Sequence, residues 1–234
     1  MALLQTRHVI RSLAAAAAWV DEVGLALLFP KADVVLPSLW QQVAGDTDVR
    51  WPSPEMAFLW PAKDELAQHG LVCVGRHLGG SVSCIAPRLV PTLVAANGDA
   101  ADAGPVAEAV RELGPLTGPE VRRATGLDKK TVDRAIASLH RRLVLTSSHL
   151  VETSAWGAVA HELVERKWPL PATLPSRDDA RRSLARVVLE QSRELTAADL
   201  AGALGWRRRD AAAVLEAVAD GRDDEAGFRI WTRR

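Results

Sequence analysis

Two basic runs carry the side chains best suited to gripping an anion. Lys129, Lys130, Thr131, Arg134 and Arg141 fall in one segment, and on a helix residues 130, 134 and 141 return to about the same face. Arginine and lysine on such a face reach phosphates and guanine edges in a major groove. Asp128 and Asp133 are interspersed and repel phosphate, so a solvated helix face is the competing reading. Arg207, Arg208 and Arg209 are consecutive and cannot all share a face, but a helix starting there adds its own attraction for phosphate. A charged surface turn is the alternative.

A third cluster, Lys63-Asp64-Glu65 beside Trp60, is titratable. Carboxylates there suit acid–base work, and a paired helix face explains them as well. If either acid is catalytic, a cleft must open beside it and face the basic helices. The stretch His161-Glu162-Leu163-Val164-Glu165 lacks the second histidine of a zinc-protease helix. There is no glycine-rich phosphate loop and no serine elbow. Cys73 and Cys84 form no CxxC pair and read as small buried apolar groups. No catalytic residue, metal or cofactor is therefore expected. Trp156, Trp168, Trp206 and Trp231 have rings that stack on unpaired bases, but core packing is the better account of them.

The elements that must position the basic runs are legible in the second half of the chain. Val106, Ala109, Val110 and Leu113 have helical spacing, ended by Gly114-Pro115. Thr117-Gly118-Pro119-Glu120 is a capping box, and Gly126 supplies the left-handed stop of the short helix it opens. Asp128 caps the next helix, with Val132, Ala135, Ile136 and Leu139 inward; Leu143 to Leu145 follows as a strand. That order is a winged helix. It recurs at an offset of 79 residues: Thr117 with Thr196, Glu120 with Asp199, Gly126 with Gly205, Lys129 and Lys130 with Arg208 and Arg209. The second unit opens with a helix from Arg181 to Gln191 and closes on a strand from Phe228 to Trp231. Between the units, Trp156, Val159, Leu163 and Val164 predict a helical stripe, and Pro169, Pro171 and Pro175 a stiff connector.

The first half is less regular. Arg7 and Arg11 precede the apolar run Leu13 to Val20, which reads as an alanine-rich helix rather than a signal peptide. Gly24 to Phe29 and Val34 to Leu36 are short buried strands or loops. Pro37-Ser38 opens a helical turn, residues 53–69 read as helix broken by Pro61, and the runs around Gly79-Gly80 form a hairpin. Pro87 to Ala96 is helical and Asn97 to Gly104 a linker. The whole chain has 29 basic and 29 acidic side chains in 234 residues. Residues 1–104 hold 7 basic and 10 acidic of these, leaving 22 and 19 for residues 105–234. No run approaches the ~20 apolar residues that span a membrane.

Residues 19–96 resemble the N-terminal part of a bacterial family related to the AlkZ (YcaQ) crosslink-repair DNA glycosylases. Val23-Gly24 with Leu28-Phe29-Pro30, Pro37-Ser38-Leu39-Trp40, Trp60, Lys63-Asp64-Glu65-Leu66 and Gly75-Arg76 carry the likeness. Relatives tend to show tyrosines before that glycine; here stand Val72, Cys73 and Val74, and the chain has no tyrosine. Tandem winged helices suit the family. The glycosylases carry a Gln-x-Asp or Gln-x-Gln motif that has no copy here: Gln41-Gln42 is followed by Val43-Ala44, and Gln68 has no acid two residues on. Catalysis is not carried over.

These readings predict a mainly α protein with small β-hairpins (α+β), an N-terminal α/β region at 1–100, and winged helices at 104–168 and 176–234. The expected function is binding of duplex DNA in repair or transcription regulation, in the cytoplasm. The DNA-binding residues would be Lys129, Lys130, Thr131, Arg134, Arg141, Arg207, Arg208 and Arg209. Two alternatives stand beside it: an AlkZ-like glycosylase, and a winged-helix module for a protein partner, which the balanced charge suits.

Overall fold

The computed structural model describes residues 10–98, 103–152, 157–192, 194–223 and 229–233. The chain begins with α1 (Leu13–Val23), capped by Ser12, then β1 (Leu25–Leu27) and α2 (Leu39–Ala44). There follow α3 (Pro54–Gln68), β2 (Cys73–Leu78), β3 (Ser81–Ile85), a 3-10 turn (Pro87–Leu89) and α4 (Val90–Asn97). A second run comprises α5 (Gly104–Leu113), β4 (Leu116–Thr117), α6 (Gly118–Thr125), α7 (Lys129–Arg141), β5 (Leu145–Val151), β6 (Ala158–Leu163) and α8 (Val164–Lys167). The third has α9 (Arg177–Gln191), β7 (Leu195–Thr196), α10 (Ala197–Leu204), α11 (Arg208–Val218), β8 (Ala219–Asp223) and β9 (Arg229–Arg233).

Each run forms an antiparallel three-stranded sheet, ordered β1-β3-β2, β4-β6-β5 and β7-β9-β8. Helix, strand, two helices, hairpin, with the last strand central, is the arrangement of a winged helix. The tandem pair is as the sequence predicts. The first run repeats the same order and strand pairing, which the reading as an irregular α/β region did not anticipate.

The local cause is shared. In each run the middle helix opens on a capping box, which satisfies two backbone donors reciprocally, and closes on a glycine with positive φ. The sets are Ser38, Gln41 and Gly45; Thr117, Glu120 and Gly126; Thr196, Asp199 and Gly205. In the first run this helix is two residues shorter, and residues 28–38 separate it from β1, so no fixed offset reveals the third copy.

Two sequence expectations are corrected. Pro61 does not break residues 54–68, which form one helix. Pro61 and Ala57 are both exposed, so the carbonyl that loses its donor meets water instead of apolar side chains. Residues 158–163 are a strand, not a helical stripe: β6 has β4 and β5 on its two sides to supply its backbone bonds, and these decide between two periodicities that residues 159, 163 and 164 alone leave open. Trp156 and Phe228 lie outside the described residues.

The runs are held together unequally. Leu25, Leu27, Ile85 and Leu93 share one core with Leu184, Val188, Leu200 and Trp206, so the first and third runs bury apolar surface against each other. Gln191 adds side-chain amide bonds to the carbonyls of Val23 and Leu25. Trp19, Trp40 and Leu59 belong to a separate core of the first run, and Val110, Val132 and Leu139 to the core of the second. The second run joins the core of the first and third through Leu143, Val164 and Trp168, and its seam with the first run adds polar contacts: Thr146 donates to the Val74 carbonyl at 2.9 Å, and three histidines meet there.

Candidate nucleic-acid interface

α7 occupies the recognition-helix position of the second run. Val132 and Leu139 are buried, whereas Lys129, Lys130, Thr131, Arg134 and Arg141 are all exposed. They are not equivalent. Asp128 accepts from the Thr131 backbone N–H at 3.0 Å and from its hydroxyl at 2.6 Å, so Thr131 is engaged in the cap. Those bonds, the hydroxyl's first, hold the Asp128 carboxyl below its ordinary value. Lys129 pairs with Asp133 at 2.6 Å. That leaves Lys130, Arg134 and Arg141 as a stripe spread over about 40° of the helix circumference.

In the third run, Arg207 is the backbone N-cap of α11, and Arg208 and Arg209 open the helix, all three exposed. Arg209 lies 3.4 Å from Asp210. Arg208 and Arg209 border an open groove of about 600 Å³ with Thr196, Ala197 and Trp231. Arg181, 5.2 Å above the Trp206 ring, reaches Asp210 at 3.7 Å. Trp168, Trp206 and Trp231 are buried in the shared core and are not free to stack on bases. Among the described tryptophans the exposed rings are Trp51, just before α3, and Trp60, in the middle of α3, packed edge to face at 6.2 Å; α3 is the recognition-helix counterpart of the first run.

Between α3 and α7 lies a cleft of about 460 Å³, lined by Trp60, Lys63, Asp64, Arg76, His140 and His161 among others. Lys63 and Asp64 form a nearly buried ion pair at 2.6 Å, and the Lys63 ammonium sits 4.6 Å from the Trp60 ring centre. Glu65, one residue on, is exposed and does not line the cleft, so the acid pair separates into one cleft residue and one surface residue. On α7 the cleft-facing residues Asp133, Ile136, Ala137 and His140 lie about a quarter-turn round from the basic stripe. The stripe therefore flanks the mouth of the cleft.

The histidines behind the cleft have defined protonation. The Arg76 backbone N–H donates to His140 Nδ1 at 3.2 Å, so that nitrogen carries no proton and Nε2 does. Nε2–H then donates to His161 Nδ1 at 3.0 Å. His77 Nδ1–H donates to the His140 carbonyl at 2.7 Å. Burial pushes His77 and His161 down to about 4, and burial together with the neighbouring His77 and His161 pushes His140 well below its usual value. Gly75 is required here: a β-carbon on it would overlap both His77 and His140. Sequence reading missed this seam, because residues 77, 140 and 161 have no common spacing; Gly75-Arg76 was its one visible trace. Among the described residues no group of histidine, cysteine and carboxylate is placed to hold a metal ion, and no helix is long and apolar enough to cross a membrane.

No protein-family model matches the chain, and no curated protein does. Among solved structures it is similar to the DNA glycosylase AlkZ of Streptomyces sahachiroi, with a TM-score of 0.54 and 13% identity. The match covers 93% of this chain and 64% of AlkZ, so the chain spans under two-thirds of that protein's length. At this identity the likeness is one of fold, the fold whose family the first-half motifs resemble.

Proposed function

We propose that this chain is a DNA-binding protein of DNA repair that grips duplex DNA without excising a base from it. The observation that carries the reading is the exposed stripe Lys130, Arg134 and Arg141 on α7, in the recognition-helix position of a winged helix and clear of the Asp128 and Asp133 pairings. Arg207, Arg208 and Arg209 on α11 supply a second basic surface. Cation-bearing helices of this kind bind by displacing counterions, so affinity falls steeply with salt. The fold likeness to a DNA glycosylase supports nucleic acid over a protein partner, and a cytoplasmic location accompanies the proposal. The division into modules at 1–100, 104–168 and 176–234 is retained as part of it.

The test is duplex affinity, read by anisotropy of a labelled oligonucleotide over a salt series. Each phosphate contact contributes a log–log slope of about −0.9. Lys130→Ala with Arg134→Ala should flatten the slope by about two units. An affinity indifferent to salt, or unaltered by the double substitution, refutes the reading.

One observation favours a second reading, a base-excising enzyme. A cleft does open beside Asp64 and is flanked by α7, the geometry that catalysis by this acid requires. Against it stand the missing Gln-x-Asp motif and the salt bridge that already occupies Asp64. Base release from alkylated duplex under single-turnover conditions separates the two. Our proposal expects none; release that is abolished by Asp64→Asn while binding persists would establish the enzyme.

A further inference from the structure

A second recess, of about 450 Å³, opens where all three runs meet. Arg141 and Arg142 enter it from the end of α7, Arg177 from the first residue of α9, and Asn97 from the end of α4. Gly80 and Gly205 form part of its wall, and a β-carbon at either would meet open space. The lining includes three arginines and no carboxylate. Asp33 lies 3.3 Å from Lys31, whose ammonium donates to the Gly79 carbonyl, and Asp179 is bound by Ser176 and Arg182. The recess is held in shape by hydrogen bonds to backbone carbonyls. The Gly79 N–H donates to the Ala203 carbonyl at 3.1 Å, and the Asn97 amide to that of Leu204 at 3.0 Å.

Like charges converging on a concave surface repel one another unless an anion lies between them, and such a surface focuses the field that draws one in. Guanidinium groups match the oxygens of a phosphate in a planar fork. Arg141 is also the last member of the α7 stripe, so the recess continues that surface toward the third run. We propose that this recess is a phosphate-binding site and that its occupant is a backbone phosphodiester of the DNA bound along α7. Arg141 and Arg177 are its principal ligands, and Arg177 is a residue that sequence reading did not single out. The inference rests on the proposed DNA binding and names where the backbone crosses from the second run to the third.

The experiment compares the full-length protein with Arg141→Gln/Arg177→Gln and Arg141→Lys/Arg177→Lys, using the same salt series. Both arginines are exposed, so the fold should tolerate the changes, checked by circular dichroism. The glutamine pair should flatten the slope by about two units, one beyond the share of Arg141 in the α7 stripe, and the lysine pair, which keeps the charge, should retain it. A slope flattened by no more than about one unit in the glutamine pair, while Lys130→Ala/Arg134→Ala still flattens it, overturns this site and leaves DNA binding standing. Absence of any duplex binding by the unaltered protein overturns both. Thermal stabilisation by inorganic phosphate identifies the other source: if the glutamine pair abolishes it but binds duplex with the original slope, the recess takes free phosphate and the assignment to DNA is wrong.

Discussion

Lowering the pH from 7 to 5 should destabilise this protein through the His77–His140–His161 seam before the perturbed carboxylates titrate. His140 and His161 are already committed to hydrogen bonds that need the neutral form, and His77 is held neutral by burial. A proton on His140 Nδ1 would face the Arg76 N–H, and one on His161 Nδ1 would face the His140 N–H. The folded-state values of His77 and His161, about 4, lie below the usual 6.5. As pH falls through 6.5 the unfolded chain takes up protons that the folded chain refuses. The stability is thus present above 6.5 and is lost progressively down to about 4. Within that window each histidine contributes about 1.4 kcal/mol per pH unit. His77 and His161 together should remove about 3 to 4 kcal/mol between pH 7 and pH 5. His140 acts in the same direction. Glu120, Asp128 and Asp179, held low by their caps, contribute stability that is lost only as pH falls further, below the ordinary carboxylate range. Urea unfolding at half-unit pH intervals measures the slope. His161→Gln keeps an acceptor for His140 and removes one titrating group, so it should lower the slope by about 1.4 kcal/mol per pH unit. Stability that stays flat from pH 7 to 5, or a slope unmoved by the substitution, would refute the assignment of neutral, interlocked rings.

Lys63→Ala strands the Asp64 carboxylate in a nearly buried site and should cost about 3–5 kcal/mol, whereas Lys63→Met with Asp64→Leu should cost much less; urea midpoints give both. Ser38→Ala, Thr117→Ala and Thr196→Ala should each lower stability by about 1 kcal/mol, since each removes a capping hydroxyl. The three helix starts are independent, so a triple variant should show near-additive loss by the same measurement, and a silent Ser38→Ala would count against a common construction of the first run.

What the sequence alone determined is local. A capping residue, its partner three positions on and a left-handed glycine are satisfied within one helix, so Thr117, Glu120 and Gly126 and their counterparts at 196, 199 and 205 announced themselves, as did the basic residues that open α7 and α11. The same chemistry at Ser38, Gln41 and Gly45 was equally present but unread as a repeat, because a long insertion before α2 destroyed the offset. Tertiary structure decided whatever depends on a partner distant along the chain. β6 is a strand because β4 and β5 flank it, and Trp168, Trp206 and Trp231 are buried because residues of all three runs share a core. Asp64 and Glu65 part company because only one of them faces α7. His77, His140 and His161 come from separate elements, and Arg141 and Arg177 from separate runs. Their meeting is set by how the sheets and helices pack, and no spacing along the chain encodes it.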